Sequence, residues 1–104
     1  MTQFDQVSVI KKANVYFGGR VTSRTILLPS GEKKTLGIML SGTYTFSTNE
    51  EEIMEVLGGE MTVLLPDSCS WQTFKEGSSF TVPANSSFSL TIGTTVDYCC
   101  SYVK

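Results

Sequence analysis

Gly42-Thr43-Tyr44-Thr45-Phe46-Ser47-Thr48 alternates aromatic residues with hydroxyls, and Phe88-Ser89-Leu90-Thr91-Ile92 repeats the pattern with mostly aliphatic partners. A strand sends successive side chains to opposite faces, so this alternation predicts half-buried β-strands with one wet face. Ser79-Phe80-Thr81-Val82 carries the same period. Turn signals surround these segments at Gly18-Gly19, Pro29-Ser30-Gly31, Ser41-Gly42, Gly58-Gly59, Pro66-Asp67, Glu76-Gly77, Pro83-Ala84-Asn85 and Gly93. Turns spaced by roughly 8–12 residues suit a sandwich or small barrel. Helix signals are weak. Residues 7–17 read as a short arm or an edge strand. Asn49-Glu50-Glu51-Glu52 offers the start of a helical turn that Gly58-Gly59 closes quickly.

A chain of 104 residues supports one hydrophobic core. With 40% hydrophobic and 17% charged residues it is globular and not disordered. Eight basic against ten acidic side chains leave a net charge of −2, without the basic stripe that nucleic-acid binding requires. The N-terminus lacks a basic region followed by an apolar run, and no apolar stretch is long enough to cross a bilayer. The three cysteines, Cys69, Cys99 and Cys100, form no spaced framework. The expectation is a cytoplasmic protein with no nucleic-acid or membrane partner.

Histidine is absent altogether. That matters because Gly42, the positions of Phe46, Thr48 and Glu52, and Gly59 resemble the first motif of the cupins. Gly77, five residues, Pro83 and then Phe88 resemble the second. Cupins place histidines where this chain has Phe46, Thr48 and Phe88, and Glu52 stands on the motif's glutamate. One carboxylate and one hydroxyl do not make a transition-metal site, so no metal is expected. Adjacent Cys99 and Cys100 face opposite sides of a strand and do not replace the lost ligands. The implied fold is all-β: a cupin-type β-barrel, that is, a jelly-roll-like double-stranded β-helix. Residues 15–104 form the single cupin domain, and 1–14 an N-terminal extension or arm.

From Tyr16 to Tyr102 the chain is similar, segment by segment, to the pyrimidine/purine nucleoside phosphorylase family of small cupins. The segments are Tyr16-Phe17-Gly18-Gly19-Arg20-Val21, Gly37-Ile38-Met39, Gly42 to Thr48, Glu52-Ile53-Met54, Val63 to Pro66, Trp71-Gln72, Gly77 to Phe88 and Tyr98 to Tyr102. Arg20 stands where the family commonly has lysine, and Thr43 where it commonly has glutamate. The resemblance implies a cytoplasmic homodimer that cleaves purine and pyrimidine nucleosides with inorganic phosphate, giving free base and pentose 1-phosphate. It implies no cofactor, phosphate being a co-substrate.

That chemistry sets the candidate site. An oxocarbenium-like C1′ calls for a carboxylate, and Glu52 is the acid at a ligand-type position. Phosphate calls for a cation and hydroxyls, for which Arg20 and Thr48 are the candidates. Ser47 is expected to face away if Thr48 faces inward, and Lys33 and Lys34 read as solvated residues of a hairpin loop. A base held without discrimination calls for aromatic faces. Tyr44, Phe46, Trp71, Phe88 and Tyr98 supply that pool, and Gln72 or Tyr98 could hydrogen-bond the departing base. The general acid stays open among Glu52, Asp67, Asp97, a tyrosine and a water. Two competing readings are a metal-free cupin that binds a sugar or nucleoside without turnover, and a structural module with a filled barrel. The latter requires that no cavity exist beside Thr48 and Phe88.

Overall fold

A computed structural model describes residues 2–104. Its strands are β1 (Ser8–Val9), β2 (Asn14–Tyr16), β3 (Val21–Leu27), β4 (Lys33–Met39), β5 (Gly42–Ser47), β6 (Glu51–Gly58), β7 (Glu60–Leu64), β8 (Gln72–Lys75), β9 (Ser79–Val82), β10 (Ser87–Ile92) and β11 (Val96–Val103). They form two sheets. The larger runs β1-β3-β4-β11-β6-β9 with β2 also on β3, and the smaller runs β5-β10-β7-β8. Every pairing is antiparallel. The only helical piece among the described residues is the 3₁₀ turn Phe17–Gly19, and none is long and apolar enough to cross a membrane.

The alternation read from the sequence decides how the smaller sheet lies. Tyr44, Phe88, Leu90, Ile92, Met61 and Val63 are buried in the core between the sheets. The intervening hydroxyls form cross-strand pairs on the wet face: Thr43 with Thr91 at 3.3 Å, Thr45 with Ser89 at 2.9 Å, and Thr62 with Thr73 at 3.1 Å. Such pairs add to sheet stability while leaving the apolar face to the core. Residues 7–17 hold β1 and β2, both paired to β3.

The acidic run does not open a helix. Glu51–Gly58 is a strand, because β9 and β11 flank it on both sides and their ladders outweigh the weak local signal. In the larger sheet the register sets Gly37 of β4 opposite Tyr98 of β11. A Cβ on Gly37 would lie 2.8 Å from the Tyr98 hydroxyl and collide with the Thr22 carbonyl. Glycine there leaves room for the Tyr98 hydroxyl over β4 on the cavity side. Gly59, at φ 79°, turns β6 into β7 where a Cβ would come within 2.7 Å of the Thr95 carbonyl.

Candidate active site

Strand parity gathers the chemistry at one end of the space between the sheets. β11 turns Tyr98, Cys100 and Tyr102 inward, with Gly37 and Thr35 of β4 opposite the first two on one side and Val56, Met54 and Glu52 of β6 opposite all three on the other. With Tyr16, Ser23, Phe46, Ser47, Asn49, Glu50 and Phe88, most of these residues line a partly open cavity of about 270 Å³. This lies just under the roughly 300–1,000 Å³ common for small-molecule sites. A filled interior is therefore excluded.

Glu52 sits half-buried on the cavity wall, and the Cys100 thiol donates to its Oε1 at 3.5 Å. Burial pushes the Glu52 carboxyl above the usual carboxylate range, and the charge of Glu50 adds to the push. The thiol and Lys33 oppose it without reversing it. Burial likewise pushes the phenols of Tyr98 and Tyr102 and the Cys100 thiol upward, so all three stay protonated near neutrality. Cys99, on the other face of β11, is also buried and is pushed up to about 11. It takes no part in the cavity.

Phe46 and Phe88 face each other across the β5–β10 ladder, with ring centroids 5.9 Å apart and planes 29° apart. Together they make a flat apolar wall. The segment before β3 covers it: Tyr16 meets Phe46 edge-on at 6.0 Å, and Phe17 does so at 5.4 Å. Phe17 adopts φ 52° to make that contact, which is a strained backbone for an aromatic residue.

Of the residues expected from sequence, Glu52, Phe46, Phe88 and Tyr98 converge on this cavity, and the other five lie off it. Arg20 donates from Nη2 to the Ser41 carbonyl at 3.0 Å and clamps the turn before β5. Tyr44 is buried beside Phe17, its hydroxyl donating to the carbonyls of Leu40 (2.8 Å) and Ser41 (3.2 Å). Trp71 and Gln72 are exposed at the edge strand β8. Thr48 is buried, but its Oγ1 donates to Pro83 O at 2.7 Å and accepts from Ser86 N at 3.0 Å. That hydroxyl ties the end of β5 to the turn before β10. Thr48→Val is accordingly expected to lower unfolding stability by about 1–3 kcal/mol by orphaning those groups. Urea denaturation measures it, with Thr48→Ser near wild type.

Thr48 keeps the inward parity of Tyr44 and Phe46 and is buried, while Ser47 is exposed as the alternation predicts; even so, Ser47 and not Thr48 borders the cavity. The sequence also left Lys33 in a solvated loop. It is the first residue of β4, and its Nζ lies 4.4 Å from the centre of the Tyr102 ring. Lys34, one residue on, points the other way and donates to Ser101 Oγ at 2.8 Å. Among the described residues, Lys33 is the one cation lining the cavity. The signal that finds it is the two-residue period Lys33, Thr35, Gly37, Met39. Thr35, Cys100 and Tyr102 were likewise not singled out.

Two sheets enclosing such a cavity define a cupin-like all-β domain. An RmlC-like cupin from Shewanella frigidimarina has the same fold, with a TM-score of 0.69 at 15% identity over 96% of this chain and 86% of that one. The ligand positions do not fit a cupin metal: Phe46 and Phe88 carry no donor atom, and the Thr48 hydroxyl is spent on the 83–86 turn. Among the described residues no group of three or more His, Cys, Asp or Glu is placed to hold one.

The chain belongs to the pyrimidine/purine nucleoside phosphorylase family, whose model matches residues 11–102. Proteins named pyrimidine/purine nucleoside phosphorylase from Syntrophotalea carbinolica and Clostridioides difficile are 61% and 60% identical to it. The first match covers all of both chains, and the second 99% of this chain and 98% of its relative. A crystal structure of a protein of unknown function from Acinetobacter sp. ADP1 superposes with a TM-score of 0.94 at 45% identity, covering 97% of this chain and 98% of that one.

Proposed function

We propose that the protein is a nucleoside phosphorylase that exchanges the base of purine and pyrimidine nucleosides for phosphate without a metal. The observation that carries the mechanism is one cavity in which a desolvated carboxyl, a flat aromatic wall and a single lysine face one another. A phosphate oxygen attacks C1′, the C1′–N bond breaks, and its electron pair leaves with the base. Glu52, whose affinity for a proton burial raises, gives that proton to the base. Phe46 and Phe88 stack the base by its π-face, which purines and pyrimidines share. Tyr98 supplies a phenol that burial keeps a donor across neutral pH. The phosphate role expected of Arg20 passes to Lys33, since Arg20 is engaged with Ser41 outside the cavity.

Incubation of the pure protein with uridine and adenosine is expected to release uracil and adenine only when phosphate is present. Phosphate-independent release, or none, overturns the assignment. Lys33→Ala is expected to raise KM for phosphate tenfold or more while leaving KM for uridine within a few-fold, read from initial rates.

The finer architecture we infer is a cupin barrel, with the two sheets curving toward each other around the cavity. We also infer a cytoplasmic homodimer. The outer face of the larger sheet exposes Ile38 and Leu57, an apolar patch suited to a second copy. Light scattering is then expected to give twice the 11.4 kDa chain mass.

A further inference from the structure

Glu50 stands at the bend between β5 and β6 and lines the cavity two residues before Glu52. Its Oε2 is buried, and among the described residues it is the one buried side-chain nitrogen or oxygen with no hydrogen-bond partner. A buried acceptor left unpaired is destabilising, so such a group calls for a partner, and one that lines a cavity can find it in what the cavity binds. A carboxylate only accepts, so the completing group must be a donor. Phosphate is excluded by its charge, and Lys33, over the Tyr102 ring, makes no hydrogen bond to Oε2.

A nucleoside brings two kinds of donor: N–H groups on the base edge and hydroxyls on the pentose. Base edges differ between purines and pyrimidines, so an acceptor fixed on the edge would sort them. The pentose is what all these substrates share. Ser47 and Asn49, polar residues close to Glu50 in the chain, also line the cavity. We propose that Glu50 is the substrate-holding carboxylate of this site, its unpartnered Oε2 accepting a hydrogen bond from the 2′- or 3′-hydroxyl of the nucleoside pentose. The proposal rests on the nucleoside reading of the cavity and adds to it the group that recognises the sugar.

The test compares uridine with 2′,3′-dideoxyuridine on wild type, Glu50→Ala and Glu50→Gln. Calorimetric binding without phosphate is measured first, and phosphorolysis rates second. Wild type is expected to bind uridine roughly ten- to a hundred-fold more tightly than the dideoxy compound. Glu50→Ala is expected to abolish that preference by weakening uridine alone, and Glu50→Gln to keep part of it. Melting temperature in Glu50→Ala is expected to hold or rise, since an unpaired buried acceptor has been removed; a purely structural glutamate would lower it. The proposal is overturned if wild type binds the two compounds equally, or binds neither. It also fails if Glu50→Ala weakens both in the same proportion. If binding follows the expected pattern but no base is released with phosphate, the sugar contact stands and the phosphorylase mechanism fails.

Discussion

Replacing Glu52 with glutamine is expected to lower kcat for uridine phosphorolysis by about 10²–10⁴-fold, the range for loss of a positioned general acid. Of the other acids considered, Asp67 and Asp97 are exposed and lie outside the cavity, and Tyr98 and Tyr102 are held so strongly protonated by burial that they are poor acids. Glutamine keeps the shape and still accepts from the Cys100 thiol, so the loss isolates the proton. A nitrophenyl riboside, whose leaving group needs no proton, is expected to lose little in the same variant. Equal loss on both substrates would make Glu52 an electrostatic stabiliser of C1′ instead.

The pH dependence follows from the direction of the shift. Glu52 is more basic folded than unfolded, so the native state binds the extra proton, and ionising it costs stability as pH rises through the folded value. kcat/KM is expected to fall on the alkaline side of the Glu52 pKa, above the usual carboxylate range, and that limb is expected to vanish in Glu52→Gln. Stability gives an independent check. At neutral pH the glutamine variant is expected to unfold at higher urea concentration than wild type, and the difference is expected to close below the ordinary carboxylate range. A variant less stable than wild type at neutral pH would contradict a desolvated carboxyl.

The legible and illegible parts of this molecule divide by range. β5, β9 and β10 are written locally, as hydroxyls alternating with large apolar residues, and the structure has them where the alternation places them. Glu52, Phe46 and Phe88 were found because a motif of fixed spacing marks them. Lys33, Thr35, Cys100 and Tyr102 were not, because what brings them to Glu52 is the insertion of the last strand between β4 and β6. Nothing in the local pattern of Lys33-Lys34 announces that a strand some 65 residues later will lie beside it. Thr48 shows the opposite failure. Its motif position is right, but the strand ends one residue earlier and the hydroxyl is taken by the Pro83–Ser86 turn. The acidic run 50–52 misleads locally: it reads as the start of a helical turn, where the structure has a bend followed by β6.

Phe88→Ala is expected to cost about 3–5 kcal/mol of unfolding stability, a large share of the roughly 5–15 kcal/mol of a typical domain. Phe88 is only 3% exposed and touches both halves of the aromatic cluster, with Phe46 at 5.9 Å and Phe80 at 6.3 Å. Truncation removes those contacts and opens the void into the existing cavity. Water entering that enlarged space would keep the cost nearer the lower bound than a sealed hole would. Phe46 is half-buried, so Phe46→Ala is expected to cost less stability and relatively more affinity. Phe88→Leu separates the two roles: it refills most of the volume and restores the urea midpoint, but it offers no π-face. KM for uridine and for adenosine is therefore expected to rise together in Phe88→Leu, because both bases lose the same stacking surface. A rise confined to one base would mean that this wall reads base shape and does not hold bases indiscriminately. Unchanged KM for both would leave Phe88 a core residue and place the base elsewhere in the cavity.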